Sequence, residues 1–99
     1  MSYYLINCTF ADGHVTGPQL QAAIDEHLNY LESGFISGQI IFSGPKVGTE
    51  GGLILIKGDR ETIQSFCDND PLVKAGIQLC QIIEFNLYKS QKYLEDWFK

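Results

Sequence analysis

From residue 3 onward, apolar and polar positions follow a strand, helix, strand, strand, helix, strand rhythm. Tyr3 to Phe10 is rich in aromatic and β-branched residues and stops at Asp12-Gly13, a turn signal, so it predicts a first strand. Thr16-Gly17-Pro18 supplies an N-cap with an early proline. Leu20, Ala23, Ile24, His27, Leu28 and Leu31 then recur at helical spacing, and Gly34 stands where a C-cap is expected. Phe35 to Ser43 predicts a second strand ended by Gly44-Pro45. Leu53 to Lys57 predicts a third, reached through a loop carrying Gly48, Gly51 and Gly52. Asp59 is placed to cap a second helix from Arg60 to about Cys67, which Asp68-Asn69-Asp70-Pro71 terminates, with a short helical turn near Val73 to Ala75. Gln78 to Tyr88 reads as the last strand. Tyr93, Leu94, Trp97 and Phe98 form an apolar stripe on an extra C-terminal helix.

This order defines one α+β domain over residues 1–99 with ferredoxin-like βαββαβ topology, its two helices on one face of an antiparallel sheet. Leu53-Ile54-Leu55-Ile56 is apolar at consecutive positions, as are Ile40-Ile41-Phe42 and Ile82-Ile83, so both faces of the sheet call for burial. One chain covers only the helix face. A second copy is the simplest cover for the other, and Trp97 and Phe98 should be buried on the partner or on the helix layer.

Composition narrows the function. The net charge is −5 and Arg60 is the only arginine, which argues against a nucleic-acid partner. No apolar run is long enough for a membrane span and the N-terminal residues lack a signal-peptide pattern, so the expectation is a cytoplasmic protein. Cys8, Cys67 and Cys80 are widely separated, which predicts buried thiols rather than a disulfide framework or zinc site.

His27 is the chemically distinctive residue, because it occupies the apolar stripe of the first helix. A core histidine satisfied by one hydrogen bond is one reading. The other is a general acid or base whose tautomer a carboxylate holds, and Asp70, ahead of Pro71 where the chain returns to the sheet, is the candidate partner. Ser43, Gly44 and Pro45 end the second strand and could meet a ligand or simply make a turn. The glycine-rich segment 48–52 could cradle a ligand, but it lacks the lysine and helix of a phosphate loop. His14 has no metal-ligand spacing to any other candidate and reads as a solvated loop residue. Neither metal nor cofactor is implied.

The same pieces resemble the YCII-related (YciI-like) family of dimeric α+β barrel proteins. They are Glu26-His27-Leu28 with Tyr30-Leu31, Gly38 through Ser43-Gly44-Pro45, Gly52-Leu53-Ile54-Leu55-Ile56, and Asp70-Pro71-Leu72-Val73-Lys74-Ala75-Gly76. The resemblance implies a homodimer with His27 and Asp70 in an active site, and elimination or isomerisation of small cyclic or aromatic compounds. The family often carries an arginine three residues before the histidine, and here Ile24 stands there. A cofactor-free lyase or isomerase is therefore the leading expectation, with a non-catalytic small-molecule-binding or regulatory dimer as the alternative.

Overall fold

The computed structural model describes residues 1–99. In chain order it contains β1 (Ser2–Phe10), α1 (Gly17–Ile36), β2 (Ile40–Pro45), β3 (Gly52–Gly58), α2 (Arg60–Asp68), α3 (Pro71–Lys74) and β4 (Gln78–Phe85). A single 3₁₀ turn, Lys92–Leu94, follows. The strands form one antiparallel sheet in the order β2-β3-β1-β4, the ferredoxin-like arrangement expected from the sequence.

The strand period divides the sheet cleanly. Tyr4, Ile6 and Cys8 of β1 and Ile54 and Ile56 of β3 point inward and join Leu31, Ile40, Ile63 and Cys67 in a single core. Each isoleucine buried there contributes about 1.5–3 kcal/mol relative to exposure. The opposite face carries Leu5, Asn7, Leu53 and Leu55, which register pairing sets beside Ile83 and Gln81 of β4. Phe42 and Leu79 extend this face and remain 50% and 62% exposed. No helix is long and apolar enough to cross a membrane.

Four boundaries differ from the sequence reading. Phe35 belongs to α1 rather than to the second strand, because the helix continues past Gly34 and stops only where Gly38 takes the left-handed conformation (φ 81°). Gly34 is a packing residue instead of a cap: a Cβ there would lie 2.7 Å from Ile40 Cγ1 and closer still to Cδ1. β2 consequently begins at Ile40 and runs to Pro45, which the sheet tolerates because β2 is an edge strand. β4 ends at Phe85, not Tyr88, because Phe85 pairs with Tyr3 at the start of β1 and only Ser2 remains beyond it. Finally, the short helix α3 starts at Pro71, two residues earlier than expected, capped by Asp70.

The C-terminal segment is a series of i to i+3 turns rather than a regular α-helix. So short a helix has little stability of its own, and docking dictates its shape. Within this chain, Trp97 and Phe98 pack not on the helix layer but against Tyr3, on the outer face of the sheet. Trp97 Nε1 donates to the Gly38 carbonyl at 2.7 Å, the Tyr3 hydroxyl donates to the Phe98 carbonyl, and Lys57 Nζ lies 4.9 Å from the Trp97 ring centre.

The contact between Gly34 and Ile40 yields a direct check. Gly34→Ala should destabilise the protein by about 1–3 kcal/mol through overpacking. In an Ile40→Ala background the same change should become neutral or stabilising, since only the Ile40 Cβ, at 3.6 Å, would remain in contact. Urea unfolding of the four proteins measures the coupling, and a similar cost in both backgrounds would refute the packing role.

Candidate functional site

Three local features bring the site together. The α1 stripe carries Ile24, His27, Leu28 and Leu31 on one side of the helix, as the spacing predicts, yet only Leu31 and Gly34 of α1 are fully buried. The N-terminal half of the stripe faces a cavity of about 400 Å³ instead of packing on the sheet. Opposite lie Cys8 and Phe10 of β1, the β2 end Ser43-Gly44-Pro45, the segment Thr49 to Gly52, and Gln78 at the start of β4.

The β2–β3 hairpin closes one side of the cavity. Lys46 N–H donates to the Gly51 carbonyl at 3.0 Å. Gly51 has φ 99°, and a Cβ there would collide with the Cys8 carbonyl oxygen, so the loop lies directly on the β1 backbone. His14, from the loop after β1, pins the same hairpin. Its Nδ1 donates to the Val15 carbonyl at 2.7 Å and its Nε2 to Glu50 Oε1 at 3.3 Å, while its ring packs edge-on against Phe10. These acceptors, the Val15 carbonyl foremost, raise the His14 pKa. Its side chain is only 13% exposed, so His14 is a loop tie rather than the solvated residue the sequence suggested.

His27 and Asp70 meet. Nδ1 of His27 lies 2.9 and 2.8 Å from the two carboxylate oxygens of Asp70. The side chains are 14% and 3% exposed. Asp70 also accepts the Leu72 N–H at 2.9 Å, which caps α3, and its extended backbone (φ −61°, ψ 130°) is the conformation that Pro71 demands of the preceding residue. One turn along α1, the Tyr30 hydroxyl donates to the Phe66 carbonyl at 2.7 Å and its ring stacks on Phe66. α1 is thus tied to α3 and α2 by adjacent turns.

His27 therefore spans the wall between a buried carboxylate and the cavity. With Nδ1–H committed to Asp70, Nε2 is the ring nitrogen left for a bound molecule. Ser43, Gly44 and Pro45 line the same cavity, so all five residues singled out from the sequence converge on one region. Cys8 and Gln78 line it too, and neither stood out in the sequence: Cys8 reads as a small core residue, and Gln78 as an ordinary polar residue opening a strand. Their shared inward phase with Ile6 and Ile82 is the signal that places them. The lining holds no lysine or arginine, in keeping with Ile24 at the position where the family often has arginine. No group of three or more histidine, cysteine or acidic side chains is arranged to hold a metal ion.

Fold and site define an α+β domain with a carboxylate-held histidine at the wall of a largely apolar cavity. The chain belongs to the YCII-related domain family, whose model matches residues 2–86. It has the fold of the dimeric α+β barrel proteins. Among solved structures it is similar to 5-chloro-2-hydroxyhydroquinone dehydrochlorinase from Burkholderia phenoliruptrix AC1100 in complex with 2,5-dihydroxybenzoquinone. The TM-score is 0.63 and the identity 27%, over 92% of this chain and 97% of that one. No match to a curated protein was found.

The double duty of Asp70 predicts a graded response. Asp70→Ala removes the α3 cap and leaves both the Leu72 N–H and the His27 Nδ1–H without their acceptor, and should cost about 2–4 kcal/mol. Asp70→Asn keeps an acceptor oxygen and should cost about 1 kcal/mol. Urea denaturation distinguishes the two, and an Asp70→Ala variant as stable as the parent would contradict the geometry.

Proposed function

We propose that the chain is a cofactor-free lyase or isomerase acting on a small cyclic or aromatic compound, with His27 and Asp70 as its catalytic pair. The observation that carries this reading is the Nδ1 contact of His27 with both oxygens of buried Asp70, made while the ring borders the cavity. Asp70 fixes the tautomer, so Nε2 presents a lone pair that can take a proton from a substrate C–H or O–H. Asp70 also stabilises the imidazolium formed as the proton arrives. The proton then returns to another substrate atom in an isomerisation, or a leaving group departs in an elimination.

The cavity volume falls in the range of small-molecule sites, and its apolar walls suit a ring. Ser43 and the backbone around Gly44 and Pro45 would orient the substrate's oxygen substituents. The likeness to a dehydrochlorinase bound to a dihydroxybenzoquinone supports a hydroxylated six-membered ring as substrate class. With Glu50 in the lining and no cation there, a neutral form of such a ring is favoured over an anionic one.

The protein works as a homodimer in this reading, joined through the outer sheet face. That face is apolar, with Phe42 and Leu79 exposed on it and Leu5, Leu53 and Leu55 uncovered by this chain's helices. We assign it to the cytoplasm, where its three free thiols would stay reduced. The acidic balance of the chain leaves nucleic acid out of the reading.

Incubation with hydroquinones such as 5-chloro-2-hydroxyhydroquinone, read by product absorbance and chloride release, tests the activity. His27→Ala should lower kcat by about 10²–10⁴-fold and Asp70→Asn by a smaller factor, each with a lesser change in KM. A thermal shift with 2,5-dihydroxybenzoquinone but no turnover of any ring compound would favour the non-catalytic binding module. For assembly, Leu55→Glu, on the outer face, should convert dimer to folded monomer by light scattering. Ile54→Glu, buried at 4% exposure, should unfold the chain. A wild-type protein that is monomeric at micromolar concentration would remove the dimer.

A further inference from the structure

The three cysteines, far apart in sequence, converge beneath the cavity. Cys8 on β1 and Cys80 on β4 are register partners, and their sulfurs lie 3.5 Å apart on the inner face of the sheet. Cys67 approaches the Cys80 sulfur from α2, and Gln78 Nε2 lies 3.6 Å from that same atom. Cys8, at 2% exposure, lies at the cavity wall, and Cys80 beside it is half-buried, so the pair is reached at Cys80.

We infer that Cys8 and Cys80 are an oxidative modification site: a dithiol that a small peroxide converts to an intrachain disulfide between β1 and β4.

Geometry supplies the first support. Directly paired residues of antiparallel strands have Cα atoms about 4.5 or 5.5 Å apart, depending on the pair type, and both values fall inside the disulfide range of about 4.4–6.8 Å. Closing the gap from 3.5 Å to a bond of about 2.05 Å takes side-chain rotation and no slip of register. The mutual position of the thiols supplies the second. The neighbouring Cys67 and Cys8 thiols, with Gln78, lower the Cys80 pKa, whereas the proximity of Cys80 and burial raise those of Cys8 and Cys67. Cys80, the less buried of the two, is assigned as the attacking thiol and Cys8 as the resolving one.

The chemistry balances. The Cys80 thiolate attacks one peroxide oxygen, the O–O bond breaks, and the departing hydroxide takes up a proton to leave as water. Cys80 is then a sulfenic acid. The Cys8 sulfur attacks that sulfur, giving up its own proton, and the sulfenic oxygen leaves as a second water. Two sulfurs lose one electron each and one hydrogen peroxide gains two. The inner sheet face carries the pair, so a dimer formed through the outer face does not cover it.

The test treats the reduced full-length protein with hydrogen peroxide and follows intact mass, thiol titration in denaturant and peptide mapping. The expected product is two hydrogens lighter, has one titratable thiol left of the three, and yields a linked Cys8–Cys80 peptide. Cys67→Ser should give the same link, and Cys8→Ser should instead hold a sulfenic acid at Cys80 that dimedone traps. If these variants fail to fold, the wild-type map alone decides. Three thiols left intact, a link through Cys67, or a link between two chains would each overturn the proposal.

Discussion

The buried carboxylate of Asp70 organises the site. Removing a carboxylate from water is costly unless donors replace the solvent, and here two do: the His27 ring and the Leu72 backbone. One donor comes from α1 and the other from the first turn of α3, so satisfying a single charge fixes where both elements stand. Pro71 completes the arrangement by holding Asp70 extended, with its side chain turned back over the helix it caps. The pair thus acts as a structural tie and, in the proposed function, as a proton-transfer device. Both roles draw on the same desolvated geometry.

That tie permits α1 to span empty space. At its C-terminal end the helix lies hard against the sheet, where Gly34 admits Ile40 to the helix backbone. Toward its N-terminus the side chains are half-buried or exposed, with the cavity beneath Ile24, His27 and Leu28. A helix packed along its whole apolar stripe would fill the pocket with its own side chains. Contact at one end and polar attachment through His27 and Tyr30 in the middle keep it open.

The sheet divides labour between its faces. Inside, Tyr4, Ile6 and Ile56 form the core, with Cys8 at its border with the cavity and Cys80 packed beside it. Outside, the C-terminal turns cover the row of Tyr3, Lys57 and Phe85, leaving the rows of Leu5, Leu55 and Ile83 and of Asn7, Leu53 and Gln81 uncovered by this chain. A chain of 99 residues has little interior to spare. It uses one face for a core with a cavity and keeps the other apolar.

The sequence by itself determined the order of elements, the topology and the facing of most apolar positions, because periods of two and 3.6 are local properties of the backbone. It also picked out His27 and Asp70, since a polar ring on an apolar stripe and an aspartate before proline are visible without coordinates. It could not decide where α1 ends: Gly34 has the residue type of a cap, and only the approach of Ile40 turns it into a packing glycine. Nor could it foresee the path of the C-terminal turns, which Tyr3 and Gly38 dictate from far away in the chain. The meeting of Cys8 with Cys80 depends on the register of two strands with most of the chain between them. Whether the His27 stripe is packed or faces a cavity depends on how far α1 stands from the sheet. Both are long-range distances that local periodicity does not encode, and only tertiary packing sets them.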